Sequence, residues 1–155
     1  MRPREKWALA ALLVFLWTRK AFAAPAPVPS VVPPSPPPGG AMLTIQDLRA
    51  LAASVGFPDP DTAAAVAMAE SSGNPKASAI VTKPAPGNLP ERSFGLWQIN
   101  TLAHPEFDES RLFDPVYNAN AALLVSRQGT DWKPWTAFTT TDPTRSYKRF
   151  MPTGA

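Results

Sequence analysis

The sequence predicts a small, mainly α-helical domain of the α+β class. After residue 41, three stretches carry apolar residues at helical spacing, each between recognisable start and stop signals. Between the second and third stretches lies a long segment rich in Pro and Gly, which favours an irregular loop or a short hairpin over another helix. We therefore expect a few packed helices with one non-helical wall.

The first helix is predicted to follow Thr44 and to end at Gly56. Thr44 and Asp47 have the spacing of a capping box, and Gly56 with Pro58 is a typical stop signal. Apolar residues follow at helical spacing at Ile45, Leu48, Leu51, Ala52 and Val55. This pattern indicates a helix that packs in the core.

The second helix is predicted to begin at Pro60, after Asp59 as its cap, and to end in the segment Ser72-Gly73-Asn74-Pro75. Its inward stripe has the i, i+3, i+4, i+7 spacing and comprises Ala63, Val66, Ala67 and Glu70. An ionisable group thus continues an apolar face, so we expect the carboxyl group of Glu70 to be half-buried.

Burial and the negative end of the helix dipole both raise the pKa of a carboxyl group at the position of Glu70. A carboxylic acid that keeps its proton near neutral pH can donate it to a leaving oxygen. The alternative is an ordinary helix-end glutamate that turns toward water, since charged residues are seldom buried.

The remaining segments complete the predicted domain. Residues 76–92 form the loop or hairpin, and a third helix opens at Asp114-Pro115 and closes at Gln128-Gly129. Its predicted inward residues are Val116, Ala119, Leu123 and Leu124. Trp132 and Trp135 then lead into a last helical segment, and both are predicted to be core residues.

The first forty residues predict an exported protein with a spacer. Basic residues precede an apolar run from Trp7 to Trp17, and Ala21-Phe22-Ala23 matches a cleavage site, so residues 1–23 are predicted to be a signal peptide. An uncleaved membrane anchor is the alternative. Residues 24–40 are predicted to be a Pro-rich linker, and residues 41–155 the domain, located in the periplasm or cell envelope.

Composition excludes several functional classes. Five of the fifteen basic residues precede residue 41, which leaves ten basic against eleven acidic residues in the domain. A domain so close to neutral does not predict nucleic-acid binding. The chain has no Cys and a single His, His104, so neither a thiolate nor a His-pair metal site is expected, and no cofactor. His104, beside Pro105, is predicted to be a turn or surface residue.

Two motifs carry a family resemblance. AVAMAESSGNP (residues 65–75) and SFGLWQIN (residues 93–100), in this order and at this separation, resemble the lysozyme superfamily, and most closely its single-glutamate lytic transglycosylases and their phage or plasmid relatives. LFDPVYNANAALL is similar to the family's D-P-x-x-N helix, and WKPWTAF lies where the family has A-Y-N. The resemblance covers residues 43–138. It implies a lysozyme-like α+β fold in which the loop or hairpin forms one wall of a glycan cleft.

The resemblance also implies a reaction. Peptidoglycan glycan strands would be the substrate, and Glu70 the catalytic acid that cleaves the β-1,4 bond between N-acetylmuramic acid and N-acetylglucosamine. In the family the same carboxylate then acts as base, which gives 1,6-anhydromuramic ends. The residues expected to bind substrate are Ser93, Trp97, Gln98, Asn118 and Phe138. Core packing is the alternative for Trp97, and bracing of the cleft is the preferred role for Asn118.

Three alternatives remain open at the level of the sequence. Animal-type lysozymes carry Asp at the position of Ser93, but Glu91 is close enough in sequence to position a water, so a hydrolytic lysozyme is one alternative. Because Ala137-Phe138-Thr139 replaces A-Y-N, a peptidoglycan-binding module with little turnover is another. The third is a wall-opening enzyme recruited by a secretion, conjugation or phage machine through its Pro-rich arm.

Overall fold

The computed structural model describes residues 40–87 and 89–153; the predicted signal peptide and most of the predicted linker lie outside them. The described helices are α1 (Ile45–Val55), α2 (Pro60–Ser71), α3 (Pro115–Val125) and α4 (Thr136–Thr139). The described strands are β1 (Ser78–Val81), β2 (Glu91–Phe94) and β3 (Ile99–Asn100). Short 3-10 turns lie at Arg111–Phe113 and Tyr147–Phe150. The expected α+β class, mainly helical, is confirmed.

The predicted ends of the first two helices are confirmed because they depend on local hydrogen bonds. The amide of Asp47 donates to Oγ1 of Thr44 at 3.2 Å, and the amide of Thr44 donates to Oδ2 of Asp47 at 2.9 Å. Gly56 ends α1 in the left-handed conformation, with φ 96°. Asp59 caps α2 by accepting from the amide of Thr62 at 3.0 Å.

The core lies between α1, α2 and α3 and is centred on Trp97, which has no exposed surface. Phe57 stacks between Trp97 and Trp132, with ring centroids 6.0 and 5.5 Å apart. Trp132 in turn lies 5.1 Å from Trp135. Trp132 and Trp135 are both buried, so the prediction that they are core residues is confirmed.

The long Pro-rich segment forms an antiparallel hairpin that β3 extends to a three-stranded sheet of order β1-β2-β3. Val81 pairs with Glu91, and Ser93 pairs with Asn100 on the other side of β2. The side chain of Arg92 donates to Glu109, with Nε 2.8 Å from Oε1, and so ties the sheet to the segment that follows β3. The prediction of a hairpin here is confirmed.

The third helix differs from the prediction in one inward residue. Leu124 is 60% exposed, whereas Ala119 and Ala122 are fully buried and Leu123 packs against the core. Successive helical residues are rotated by about 100°, so Leu123 lies on the inward face of α3 and the next residue, Leu124, lies outside it. The helix also ends at Val125, earlier than Gln128-Gly129, and left-handed residues then form the turn.

Within the described part of the chain, no helix combines the length and the apolar character needed to cross a membrane.

Candidate active site

The chain ends α2 immediately after Glu70 and turns sharply into the sheet. Ser72 and Gly73 adopt left-handed conformations, with φ 54° and 77°. A Cβ atom at Gly73 would lie 2.0 Å from the carbonyl oxygen of Leu43, so only glycine fits at this contact. The ESSGNP motif therefore has a structural role, because it ends the helix and so places Glu70 in its last turn.

The environment of Glu70 favours its protonated form, as predicted. The other three residues of its stripe, Ala63, Val66 and Ala67, are fully buried, and burial is the main cause that raises the pKa of Glu70. The amide of Ala137 donates to Oε1 at 3.2 Å and lowers this pKa. The charge of Glu91 raises it and the charge of Arg145 lowers it, and the net direction is upward.

Glu70 lines a cleft of about 420 Å³. The hairpin and the loop before β2 form one wall, through Leu89, Pro90, Glu91 and Ser93, which confirms the expected position of the hairpin. The other lining residues come from the segment after β2, from the last residue of α3 and from the segment after Trp132. They are Gln98, Ile99, Asn100, Ala103, His104, Val125, Pro134, Trp135 and Thr136.

A tight turn between β2 and β3 brings Gln98 to the cleft. Gly95 has φ 75°, and a Cβ atom there would lie 2.1 Å from the carbonyl oxygen of Leu112. Gln98 itself has φ 45°, and its Nε2 donates to the carbonyl oxygen of Gly95 at 2.8 Å. The turn thus holds a side-chain amide, which offers both a donor and an acceptor, at the surface of the cleft.

A family model described as a lysozyme-like domain matches residues 49–137. The chain belongs to this lysozyme-like domain family. No curated protein and no solved structure matches the chain. The matched residues run from α1 to the start of α4 and include Glu70, the hairpin and the turn that holds Gln98. The lysozyme-like domain therefore belongs among the glycosidases and lytic transglycosylases that act on peptidoglycan.

The cleft of the lysozyme-like domain holds a second carboxylate. Glu91 accepts a hydrogen bond from Oγ of Ser93 at 2.8 Å, and both residues line the same cleft as Glu70. Ser93 is nearly fully buried, whereas Glu91 is partly exposed. The hydroxyl of Ser93 thus orients the carboxylate of Glu91.

Trp97 and Asn118, both expected to bind substrate, are buried beneath the cleft of the lysozyme-like domain. The indole Nε1 of Trp97 donates to the carbonyl oxygen of Ala63 at 3.0 Å, so its core alternative is the correct one and it cannot stack on a sugar. Asn118 accepts from the amide of Trp97 at 2.8 Å and donates to the carbonyl oxygens of Phe94 and Leu112 at 2.9 and 3.0 Å. Because every one of these partners is a backbone group, Asn118 braces the wall and does not contact the glycan.

Phe138 was also predicted to bind substrate, but the structure does not place it in the cleft. Its ring stacks on Tyr147, with centroids 4.7 Å apart, and is not among the residues that line the cleft. The group that touches Glu70 is instead the backbone amide of the preceding residue, Ala137. This contact does not depend on the side chains of Phe138 and Thr139, since any residue except Pro at position 137 supplies an amide.

Sequence reasoning missed two residues near Glu70. Arg145 lies beyond the motifs that carry the family resemblance, and no pattern in the sequence pointed to it. His104 lines the cleft while its Nδ1 lies 3.3 Å from Oε1 of Glu106, although it was predicted only as a turn or surface residue. Among residues 40–87 and 89–153, no group of three or more His, Cys, Asp or Glu side chains is placed to hold a metal ion.

Proposed function

We propose that this lysozyme-like domain is a peptidoglycan lytic transglycosylase in which Glu70 acts first as acid and then as base. The observation that carries the proposal is a half-buried carboxyl group, with a raised pKa, at the surface of a cleft. A neutral carboxylic acid can protonate a leaving oxygen, and the same group, once ionised, can accept a proton.

In the first step Glu70 protonates the oxygen that joins N-acetylmuramic acid to N-acetylglucosamine. The bond from this oxygen to the anomeric carbon breaks, and positive charge develops on the muramic sugar as in an oxocarbenium ion. Departure of the N-acetylglucosamine leaves Glu70 as a carboxylate beside this charge. The amide of Ala137, which already donates to Oε1, stabilises the carboxylate at this stage.

In the second step the carboxylate of Glu70 accepts the proton of the muramic 6-hydroxyl. The 6-oxygen attacks the anomeric carbon and closes a 1,6-anhydro ring, which regenerates the neutral acid. No water enters the product and no second carboxylate is required. Gln98 and Ser93 line the cleft, where they are placed to hydrogen-bond the acetamido groups of the sugars.

The substitution Glu70→Gln tests the proposal directly. The Gln side chain keeps the shape of the residue but has no acidic proton to transfer to the leaving oxygen. Release of soluble fragments from purified sacculi should therefore fall to background. Mass spectrometry of the wild-type digest should show 1,6-anhydro ends, which are lighter than reducing ends by one water. A fully active Gln variant would remove the assignment.

A hydrolytic lysozyme is the second candidate, because Glu91 lines the same cleft and is positioned by Ser93. An inverting hydrolase needs a second carboxylate to activate water on the opposite face of the sugar. Glu91→Gln distinguishes the two reactions. A transglycosylase should keep most of its turnover and its anhydro products in this variant, whereas a hydrolase should lose turnover and give reducing ends in the wild type.

A binding module with little turnover remains the non-enzymatic candidate, motivated by the altered A-Y-N segment. Purified protein that sediments with sacculi but releases no soluble fragment would support it. The contact between the amide of Ala137 and Glu70 favours the enzyme, since it retains a backbone interaction with the proposed acid.

We also propose that the protein is exported to the periplasm or cell envelope, where this substrate lies. The proposal depends on the leader pattern in residues 1–23, and its alternative is retention of the leader as an anchor. The mass of the protein recovered from the cell envelope would distinguish removal after Ala23 from retention. A secretion, conjugation or phage machine is the proposed partner, on the basis of the Pro-rich segment 24–40 alone.

A further inference from the structure

A second, smaller pocket adjoins the cleft at Glu70. Its volume is about 180 Å³, less than half the 420 Å³ of the cleft. Both are lined by Glu70 and Thr136, so a ligand that passes Glu70 in the cleft can extend a substituent into the small pocket. The remaining lining residues are Ala69, Ala137, Thr144 and Arg145.

Arg145 gives this small pocket a positive charge. Within the part of the chain that the structure describes, no carboxylate lies in ion-pair contact with its guanidinium group. Oδ1 of the nearby Asp142 accepts instead from the amide and the hydroxyl of Thr144, at 2.8 and 2.7 Å. Glu70, which also lines the pocket, is held toward its neutral form by burial. The charge of Arg145 also helps to lower the pKa of Asp142, but no carboxylate of the described residues pairs with its guanidinium group, so the group can bind an anion from outside the chain.

We propose that Arg145 binds a carboxylate of the glycan substrate and so selects strands that contain muramic acid. The inference rests on the proposed function, because it concerns the substrate of the same site. N-acetylglucosamine carries no carboxylate, whereas muramic acid carries a lactyl group that ends in one when the strand is peptide-free. In a peptide-bearing strand the lactyl group is an amide, and the carboxylates belong to the peptide stem.

The chemistry of the small pocket suits a carboxylate. The guanidinium group of Arg145 offers a planar fork of donors that matches the two oxygens of a carboxylate. Thr144 lines the same pocket, but its hydroxyl already donates to Asp142, so Arg145 supplies the donors for an anion. Arg145 is thus a specificity-determining residue, whereas Glu70 remains the catalytic one.

The test compares wild type, Arg145→Gln, Arg145→Lys and Lys148→Gln on three substrates. Lys148 is a matched control, because it is exposed in the same segment and does not line the pocket. The substrates are peptide-free glycan strands, the same strands with the lactyl carboxylate converted to a neutral methylamide, and peptide-bearing strands. The kcat/KM of each variant is measured from the appearance of new glycan chain ends.

Arg145→Gln should lower kcat/KM at least about tenfold on a carboxylate-bearing strand, mainly through KM, and less than about twofold on the methylamide strand. Arg145→Lys should fall between, since it keeps the charge without the fork. A loss confined to peptide-free strands identifies the lactyl carboxylate as the ligand, and a loss confined to peptide-bearing strands identifies the stem. Equal losses on all three substrates, or the same loss in Lys148→Gln, would overturn the inference.

Binding separates this inference from the proposed reaction. Calorimetric titration with a peptide-free muramic oligosaccharide requires no turnover, and Arg145→Gln should raise its Kd at least about tenfold while leaving the Kd of the methylamide unchanged. If the wild type binds in this pattern but releases nothing from any strand, the proposed reaction fails and the carboxylate site stands. If Kd for the carboxylate form is unchanged in Arg145→Gln, the site fails even where turnover is found.

Discussion

Two charged neighbours act on Glu70 in opposite directions. Glu91 raises the pKa of Glu70 and Arg145 lowers it, while burial sets the overall direction. The hydrogen bond from the amide of Ala137 reaches one carboxyl oxygen of Glu70 and limits how far burial can raise its pKa. A group tuned in this way can change protonation state twice within one reaction, which is what the two proposed steps require.

These neighbours predict opposite shifts in the pH profile. If protonated Glu70 is the active form, the alkaline limb of kcat/KM follows its pKa. Glu91→Gln removes a negative charge, so this pKa falls and the limb moves to lower pH. Arg145→Gln removes a positive charge, so the limb moves to higher pH. Profiles measured on the methylamide strand avoid any loss of substrate binding at Arg145, and shifts in the same direction would contradict the assignment.

The raised pKa of Glu70 also predicts how stability depends on pH. A carboxyl group whose pKa is higher in the folded state than in the unfolded state loses stabilisation as pH rises through the folded value. Glu70→Gln cannot ionise, so its free energy of unfolding should equal that of the wild type near pH 4 and exceed it slightly at pH 8. Denaturant unfolding at the two pH values measures this difference. A Gln variant less stable than the wild type at pH 8 would show that the carboxylate is favourably held.

The sequence predicted the partial burial of Glu70 correctly, because helical spacing places this residue on a buried face. It could not decide the role of Trp97, since a large aromatic side chain beside a cleft motif suits either a sugar or the core. Its complete burial in the structure settles the matter, and its Nε1 donates to the carbonyl oxygen of Ala63. Arg145 was missed for a different reason, because its proximity to Glu70 depends on tertiary packing of the segment after α4.

At the level of secondary structure, the cleft wall depends on a side chain that is fully buried and does not line the cleft. Asn118 of α3 links three backbone groups of the opposite wall, in Phe94, Trp97 and Leu112. Gly95, whose absent Cβ atom leaves room for the Asn118 amide, completes this junction. The turn that holds Gln98 is therefore fixed by α3 and not only by its own hydrogen bonds.

Loss of this junction should be measurable. Asn118→Ala removes a hydrogen-bond partner from one backbone donor and from two backbone acceptors, which we expect to lower the free energy of unfolding by about 3 kcal/mol. Asn120→Ala on the same helix is the control: its exposed side chain donates only to the carbonyl oxygen of Val116, and the expected change is within about 0.5 kcal/mol. Urea unfolding measures both, and equal effects would show that Asn118 has no special role.

The elements that local rules govern were the ones predicted best. Caps and stops depend on residues within a few positions, so both ends of α1 and α2 were predicted correctly. The inward face of α3 was not fully predicted. Its buried residues include the polar Asn118 and the small Ala121 and Ala122, whereas Leu124, which was expected there, is exposed. Hydrophobicity alone does not identify a buried face that includes an amide.

At the scale of the whole molecule, the catalytic proposal concerns residues 40–153 and the recruitment proposal concerns residues before them. If the Pro-rich segment only tethers the domain, a chain that lacks residues 25–40 should cleave purified sacculi at the wild-type rate. The same chain should lose its localisation to the envelope machine in cells, measured by fluorescence. Equal loss of both activities would argue against a tether.

The motifs that carry the family resemblance mostly shape the backbone around Glu70 in the folded molecule. Gly73, Gly95 and Asn118 permit close approaches or bridge them, and only Glu70, Ser93 and Gln98 among the predicted site residues reach the cleft. A sequence motif therefore identified the fold more securely than it identified the substrate contacts.

The bond from the main chain of Ala137 to Glu70 has an evolutionary consequence. Because the donor is a peptide group, mutation of the side chains at 137–139 can accumulate without removing it, and only proline at 137 is forbidden. The departure from A-Y-N at Phe138 and Thr139 therefore leaves the amide donor to Glu70 unchanged.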